Sequence, residues 1–89
     1  MEIGNRNYKK VAKIDGAVIF ASKDGYFLFE EYYVSSGSFY LIPVRLGKTA
    51  KEVKKSFISD RNWYYRALHG EMNAILKAWE EVRKLPDIQ

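Results

Sequence analysis

The sequence contains no cysteine, and this absence removes several kinds of chemistry at once. Without thiols the chain has no disulfide framework, no thiolate zinc site and no cysteine nucleophile. A small chain without disulfides is typical of an intracellular protein, so we expect a cytoplasmic location. One histidine, His69, is too little for a closed metal site, and we expect no cofactor. No apolar run approaches the roughly 18 residues that span a bilayer, so we expect no membrane partner.

The length and the charge of the chain further limit the classes of protein to which it can belong. A chain of 89 residues predicts one domain, and its 47% hydrophobic content indicates a packed core rather than disorder. A core of this size is thin, so we expect a homodimer or higher homo-oligomer. The net charge of +4 weakly favours polyanions. Lys and Glu are plentiful while Gln89 is the sole glutamine, a mixture typical of thermophilic proteins.

Three glycine-containing dipeptides divide the N-terminal half into strands. Asp15-Gly16, Asp24-Gly25 and Ser36-Gly37 are hairpin-turn signals, and such short turns indicate an antiparallel meander. Pro43 cannot donate a ladder hydrogen bond, so the last strand should lie at an edge or carry a bulge. The predicted strands are 8–14, 17–22, 25–34 and 38–46.

The pattern becomes helical after Gly47. Thr49 and Glu52 have the spacing of a capping box, which predicts a short helix to about Ile58. Ser59 or Asp60 can cap a second, long helix that continues to about residue 85. The fold class is therefore α+β: a four-stranded antiparallel β-meander followed by a short and a long α-helix (ββββαα). We expect a flexible N-terminus at 1–7, one domain at 8–85 and a C-terminal tail at 86–89.

Two-residue turns would assign each side chain to one face of the sheet. The face expected to meet the helices carries Val11, Val18, Phe20, Phe27, Phe29, Tyr33, Tyr40, Ile42, Val44 and Leu46. The face expected to stay exposed carries Tyr8, Lys10, Ala12, Ile14, Ile19, Tyr26, Leu28, Tyr32, Phe39, Leu41 and Arg45. An exposed face with so many apolar side chains usually marks an interface.

Aromatic rings interleaved with cations suit single-stranded nucleic acid, because bases stack on the rings while cations track the phosphates. The segment RNWYYR at 61–66 adds a similar grouping. The stacking candidates are Tyr26, Tyr32, Phe39 and Trp63. The phosphate-binding candidates are Lys10, Lys23, Arg45, Lys48, Arg61 and Arg66. We therefore predict largely sequence-independent binding of single-stranded DNA or RNA, with DNA favoured over RNA.

Other interpretations stay open from the residues alone. The same face could be buried against a second copy, which would make the protein a homo-oligomeric adaptor. The lysines at 48, 51, 54 and 55 could be a solvated helix side, and Tyr64 and Tyr65 could simply pack a helix onto the sheet. A small metal-dependent nuclease is the remaining alternative.

Catalytic patterns are few. The segment HGEMNAI at 69–75 resembles the zinc-binding helix of cytidine and deoxycytidylate deaminases, but the cysteine pair that completes such a site is absent. Glu30 and Glu31 are adjacent in a predicted strand and so point to opposite faces. We assign no catalytic residues, no metal ligands and no enzymatic activity.

The predicted sheet and helices, the small basic chain and the sheet aromatics resemble the archaeal ThermoDBP family of single-stranded DNA-binding proteins, and above all its shorter relatives. The Whirly-type fold of transcriptional coactivators is the second resemblance. The likeness runs from about Tyr8 to Leu85 and is one of architecture and composition. It implies that an aromatic and basic cleft holds single-stranded DNA, and no family residue is transferred to this chain.

Overall fold

The computed structural model describes residues 2–3 and 6–89, with side chains from residue 6 onward. Within these residues six strands precede three helices. The strands are β1 Glu2–Ile3, β2 Arg6–Asn7, β3 Lys9–Ile14, β4 Ala17–Ser22, β5 Gly25–Ser35 and β6 Ser38–Gly47. The helices are α1 Ala50–Asp60, α2 Trp63–Leu68 and α3 Met72–Arg83. β1 pairs with β2, and β3-β4-β5-β6 form a four-stranded antiparallel meander, so the α+β fold class is confirmed.

The predicted long helix is divided into α2 and α3. Gly70 adopts a left-handed backbone with φ 86°, which a helix cannot contain. The Gly70 N–H donates to the carbonyl of Ala67 at 3.2 Å, and the Glu71 N–H donates to that of Arg66 at 3.0 Å. These bonds satisfy carbonyls at the end of α2, so the chain turns before α3 begins.

The ends of the chain bear on the predicted domain limits. Of the N-terminal segment 1–7, residues 1, 4 and 5 lie outside the described residues, and the flexibility expected there stays a prediction. At the other end the Ile88 N–H donates to the Lys48 carbonyl at 2.7 Å, and the Tyr26 hydroxyl donates to the Pro86 carbonyl. The C-terminal residues therefore contact both the sheet and the start of α1.

Three β-bulges and one displaced turn change the predicted register. The loops Asp15-Gly16 and Ser36-Gly37 form as predicted, since Ile14 pairs with Ala17 and Ser35 with Ser38. The middle loop is Lys23-Asp24 instead of the predicted Asp24-Gly25, because Ser22 pairs with Gly25.

The bulges lie at Val11, Val34 and Leu46, which the ladder skips. Each bulge inserts one residue, and one residue moves every side chain beyond it to the opposite face.

The predicted faces were therefore wrong for the ends of two strands. Tyr33 pairs with Phe39 instead of Tyr40, which reverses β6 from residue 39 to residue 45. Lys10 pairs with Phe20, which moves the start of β3 to the other side. Tyr8 is accordingly buried, with its ring 5.1 Å from Phe27 and 4.9 Å from Phe29 between centroids.

The helices also cover the face that we expected to be exposed. Ile14, Ile19 and Tyr26 are fully buried in one cluster with Val53 and Phe57 of α1. Small residues of the same sheet face pack against this cluster: Ala12, Ala17 and Ala21. Because an alanine side chain is short, this face admits a helix close to the sheet, whereas the phenylalanines fill the space above the opposite face.

The start of α1 follows the predicted capping box. The Glu52 N–H donates to Thr49 Oγ1 at 3.2 Å, and Glu52 Oε1 accepts from the Lys48 N–H at 3.1 Å. The bond from the Lys48 N–H to the carboxylate lowers the pKa of Glu52, and both bonds satisfy amides at the start of the helix that have no intrahelical partner. Gly47 precedes the cap at φ 141°, and a Cβ there would clash with the Cβ of Glu52. The chain can therefore turn from β6 into α1 only with glycine at this position.

Candidate nucleic-acid interface

The four predicted stacking residues lie in different environments. Tyr26 is 2% exposed and Trp63 is 3% exposed, so both belong to the core. Tyr32 and Phe39 are 54% and 51% exposed, but they lie on opposite faces of the β5–β6 hairpin. Base stacking needs an accessible ring face. Only Tyr32 and Phe39 offer one, and they cannot form one platform.

The distal half of the β5–β6 hairpin, residues 30–42, projects as an aromatic arm. β4 pairs with β5 only as far as Phe27, so beyond that residue β5 pairs with β6 alone. Tyr32 lies beside Tyr40 at 5.4 Å between ring centroids, and on the other face Tyr33 lies beside Phe39 at 5.6 Å. All four rings are at least half exposed.

The aromatic arm is acidic. Its charged residues are Glu30 and Glu31, and it contains no Lys or Arg. Glu31 accepts a hydrogen bond from the Tyr33 hydroxyl, and this bond to a carboxylate raises the pKa of Tyr33. Phosphates are repelled by two carboxylates and find no cation here. The electrostatics of the arm therefore disfavour a polyanion as its partner.

Two of the predicted phosphate ligands are already bound within the chain. Arg61 Nε lies 2.8 Å from Asp15 Oδ2, and its Nη2 donates to the Asp15 carbonyl at 2.7 Å. Arg66 donates hydrogen bonds from both terminal nitrogens to the same carboxylate, and one of these nitrogens lies 2.9 Å from Asp15 Oδ1. The Arg66 side chain also pairs with Glu71 at 3.1 Å. The Asp15 side chain is only 10% exposed. This cluster fastens the β3–β4 turn to α2 and holds both guanidinium groups away from a ligand.

The two arginines control how Asp15 ionises. Hydrogen bonds from Arg66 first, and from Arg61, lower the pKa of Asp15 to about 2, against the opposing effect of burial. The same bond to Asp15 raises the pKa of Arg66. At neutral pH the cluster is therefore fully ionised, with one carboxylate between two guanidinium groups.

This shift predicts a loss of stability in acid. The folded pKa of Asp15, about 2, lies below its ordinary value of 3.8, so its contribution is complete above about pH 4 and falls as pH drops towards 2. We expect about 2 kcal/mol of the free energy of unfolding to disappear across this interval. Urea unfolding at pH 7, 4, 3 and 2 measures it. In Asp15→Asn the loss over the same interval should be smaller by that amount, and equal losses in the two proteins would contradict the assignment to Asp15.

The other predicted phosphate ligands are scattered. Lys10 on β3 and Lys23 in the β4–β5 turn are exposed. The Arg45 side chain donates from Nε to the Asp24 carbonyl at 3.0 Å. Lys48 is half-buried immediately before α1. Of these four, Lys48 lies next to a larger group of cations.

That group is the basic helix face, which we define as Lys51, Lys54 and Lys55 of α1 with Trp79 and Arg83 of α3. A groove of about 250 Å³ lies between the two helices, and Lys51, Lys54, Trp79 and Arg83 contribute to its walls. Lys54 Nζ lies 2.9 Å from the centroid of the Trp79 ring. The groove thus combines ammonium groups with a half-buried indole.

The lysines of the basic helix face have no acidic partners among the described residues. Ion pairs there neutralise Arg6, Arg61, Arg66, Arg83 and Lys84, but not Lys51, Lys54 or Lys55. Glu52, the one acid within α1 before Asp60, accepts the bonds of the helix cap. Positive charge is therefore concentrated along one side of α1.

Trp79 was not among the predicted site residues. In the sequence, the apolar residues of this region recur at steps of four and three, which is the spacing of one apolar face of a helix: Leu68, Met72, Ile75, Trp79 and Val82. In the structure Ile75 and Val82 are buried, whereas Trp79 lies at the border of the core beside α1. The sequence signal that could have found this site is the spacing of the lysines on α1. Residues three and four apart share one side of a helix, so one of these lysines lies beside the element that packs against α1.

The fold and the site define a small α+β domain with a basic helix face and an acidic aromatic arm. Comparisons with protein-family models, with curated proteins and with solved structures found no match. No helix of the described residues is long and apolar enough to cross a membrane.

Proposed function

We propose that the protein binds single-stranded nucleic acid through the basic helix face. The observation that supports this proposal is the row of lysines on α1, beside the indole of Trp79, that form no ion pair with any described acidic residue. Unpaired ammonium groups can neutralise phosphates and release counterions. An adjacent indole can stack a base, which contributes roughly 1–3 kcal/mol. The proposed surface differs from the predicted sheet face, since the helices cover that face.

The position of Lys54 suggests how the surface works. In the free protein its ammonium group lies over the Trp79 ring in a cation–π contact. A base stacking on that ring takes the place of the ammonium group, which then turns to the phosphate. A ligand with unpaired bases can make both contacts, whereas a duplex can make only the phosphate contacts.

Several finer points belong to this proposal. Stacking on one indole reads no base edge, so binding is largely independent of sequence. We favour DNA over RNA because of the likeness to the ThermoDBP family, and membership of that family stays a hypothesis. A cytoplasmic location is part of the proposal, as is assembly into a homo-oligomer.

Fluorescence anisotropy with labelled oligo(dT), oligo(rU) and a duplex at two salt concentrations tests the proposal. The double variant Lys51→Ala/Lys55→Ala should weaken oligo(dT) binding at least about tenfold and reduce the salt slope by about 1.4, since each lost phosphate contact removes about 0.7. Alanine is a good helix former, so α1 should remain intact. Circular dichroism checks that the fold is unchanged.

The matched control removes the same charge from another surface. Lys13 and Lys77 line a separate depression on the other side of α3, with Ile14 and Ala78. Lys13→Ala/Lys77→Ala should change oligo(dT) affinity less than about threefold. Equal weakening by the two double variants would show that only net charge matters. Absence of binding to all three ligands at low salt would end the nucleic-acid proposal.

The nuclease alternative gains no support from the geometry. Among the described residues, no group of three or more His, Asp and Glu side chains is placed to hold a metal ion. The adaptor alternative, in contrast, is favoured by a specific surface, the aromatic arm.

A further inference from the structure

We infer that two copies of this chain associate by pairing their β6 strands edge to edge along the aromatic arm. The contact is separate from the basic helix face, so this inference does not depend on nucleic-acid binding. Three observations support the inference: the sheet of the arm lacks further strands, one of its edges carries no charge, and apolar side chains along that edge are exposed.

The arm is a sheet that lacks further strands. Over residues 28–44, β5 and β6 pair with each other and with no other described strand, and residues 30 to 40 are all exposed. An isolated two-stranded ribbon is marginally stable in water, and three or more strands with an apolar face are needed for independent stability. A second copy of β6 would turn the ribbon into a four-stranded sheet.

Charge selects which edge of the ribbon pairs. β5 carries Glu30 and Glu31, and like charges brought opposite each other across two strands are destabilising. β6 is the last strand in the sheet order, and its segment Ser38–Ile42 reads SFYLI, without a charge. Charged residues on an edge strand commonly prevent it from pairing with a strand of another molecule. The β5 edge has that protection and the β6 edge does not.

A two-fold axis makes the contact closed and self-complementary. Two β6 strands related by such an axis run antiparallel, and each residue contacts its counterpart symmetrically. Pro43 has no N–H and limits the pairing on one side, while the turn at Ser36-Gly37 limits it on the other. The pairing segment is then residues 38–42, with Tyr40 at its centre opposite the Tyr40 of the second copy.

The exposed side chains of β6 and its unpaired backbone edge favour a second copy. Phe39 is 51%, Tyr40 50% and Ile42 36% exposed. In two copies these side chains offer roughly 500 Å² of apolar area, from typical aromatic areas, which is the scale of a weak and concentration-dependent contact. The backbone hydrogen bonds of an added strand contribute further, and only another extended strand can make them. We therefore commit to a second copy as the occupant of this edge.

Sedimentation equilibrium of the wild type, Tyr40→Glu and Tyr32→Glu tests the inference. Tyr40 and Tyr32 are cross-strand partners on one face and are 50% and 54% exposed, so they form a matched pair. The wild type should show a concentration-dependent dimer of the 10.4 kDa chain. Tyr40→Glu should weaken the dimer at least about a hundredfold, because two carboxylates then meet at the axis. Tyr32→Glu should weaken it less than about tenfold.

Mixing supplies a second readout that loss of folding cannot imitate. Tyr40→Glu and Tyr40→Lys should each be monomeric, and an equimolar mixture should form a heterodimer, because opposite charges then face each other. Equal weakening by Tyr40→Glu and Tyr32→Glu, or no recovery on mixing, would overturn the edge pairing. A wild type that stays monomeric up to about 1 mM would also overturn it, even if the arm captured an oligonucleotide.

Discussion

Asp15→Asn is expected to lower the free energy of unfolding by about 3 kcal/mol at neutral pH. The substitution leaves Arg61, which is 30% exposed, without its carboxylate partner, and leaves Arg66, which is 20% exposed, with Glu71 alone. Breaking a buried ion pair by removing one partner typically costs 3–5 kcal/mol. Because both arginines are partly exposed, we expect the loss in free energy of unfolding to lie at the lower end of this range. Urea unfolding followed by circular dichroism measures the change.

The choice of asparagine separates charge from backbone geometry. Asp15 has φ 52°, a left-handed conformation that Asn tolerates better than most residues. Asp15→Ala would add strain at this angle to the loss of the ion pairs, so it is the less informative variant. Asn retains the side-chain shape and the turn.

Asp24→Asn is the matched control. Asp24 also lies in a hairpin turn of the sheet and also pairs with an arginine, Arg6, at 2.9 Å. The two side chains are 40% and 44% exposed, so solvent screens the pair and its contribution should be below about 1 kcal/mol. Equal losses for Asp15→Asn and Asp24→Asn would show that burial of the cluster does not set its strength.

The sequence was most informative where local chemistry decides the structure. Gly16 and Gly37 follow residues that favour turns, and two of the three predicted loops form at the expected residues, while the middle loop lies one residue earlier. Thr49 and Glu52 cap the helix because their spacing brings the Thr49 hydroxyl to the Glu52 amide and the Glu52 carboxylate back to the Lys48 amide. The α+β order follows from these signals together with the change of period after residue 47.

The sheet faces could not be predicted because their assignment depends on bulges and on volume. Val11 and Val34 are β-branched residues that belong in strands by propensity, and nothing in their neighbours marks them as unpaired. A period of two separates the faces of a strand without indicating which face a helix covers. Ala12, Ala17 and Ala21 carried that information through their small size, which an analysis of hydrophobicity does not register.

Tertiary ion pairs explain the change in the candidate site. Asp15 was accounted for by its turn, and Arg61 and Arg66 appeared free because their partner lies 46 or more residues away in the chain. Trp79 lies opposite the α1 lysines only because α1 and α3 pack side by side. Contacts between residues far apart in the sequence depend on how the helices and strands pack in the folded protein. Turns and helix caps depend only on neighbouring residues.

Trp63→Ala is expected to cost about 3–5 kcal/mol and to lower the melting temperature by roughly 15 to 30 °C. The ring is 3% exposed and packs between Phe57 and Trp79, each at 6.1 Å between centroids, so its removal leaves a large cavity. Small domains have a free energy of unfolding of roughly 5–15 kcal/mol, and the loss is a large part of it. Thermal unfolding by circular dichroism measures the shift.

Two neighbouring variants make this result specific to the core position of Trp63. Tyr64, the next residue, is 76% exposed, so Tyr64→Ala should change the free energy of unfolding by less than about 0.5 kcal/mol. Trp63→Phe keeps most of the ring and removes an indole N–H that has no acceptor among the described residues, so it should cost less than Trp63→Ala. If Trp63 were a stacking platform, Trp63→Ala would keep the melting temperature and lose oligonucleotide affinity. The core position requires the reverse: stability falls, while the folded fraction binds oligo(dT) as the wild type does.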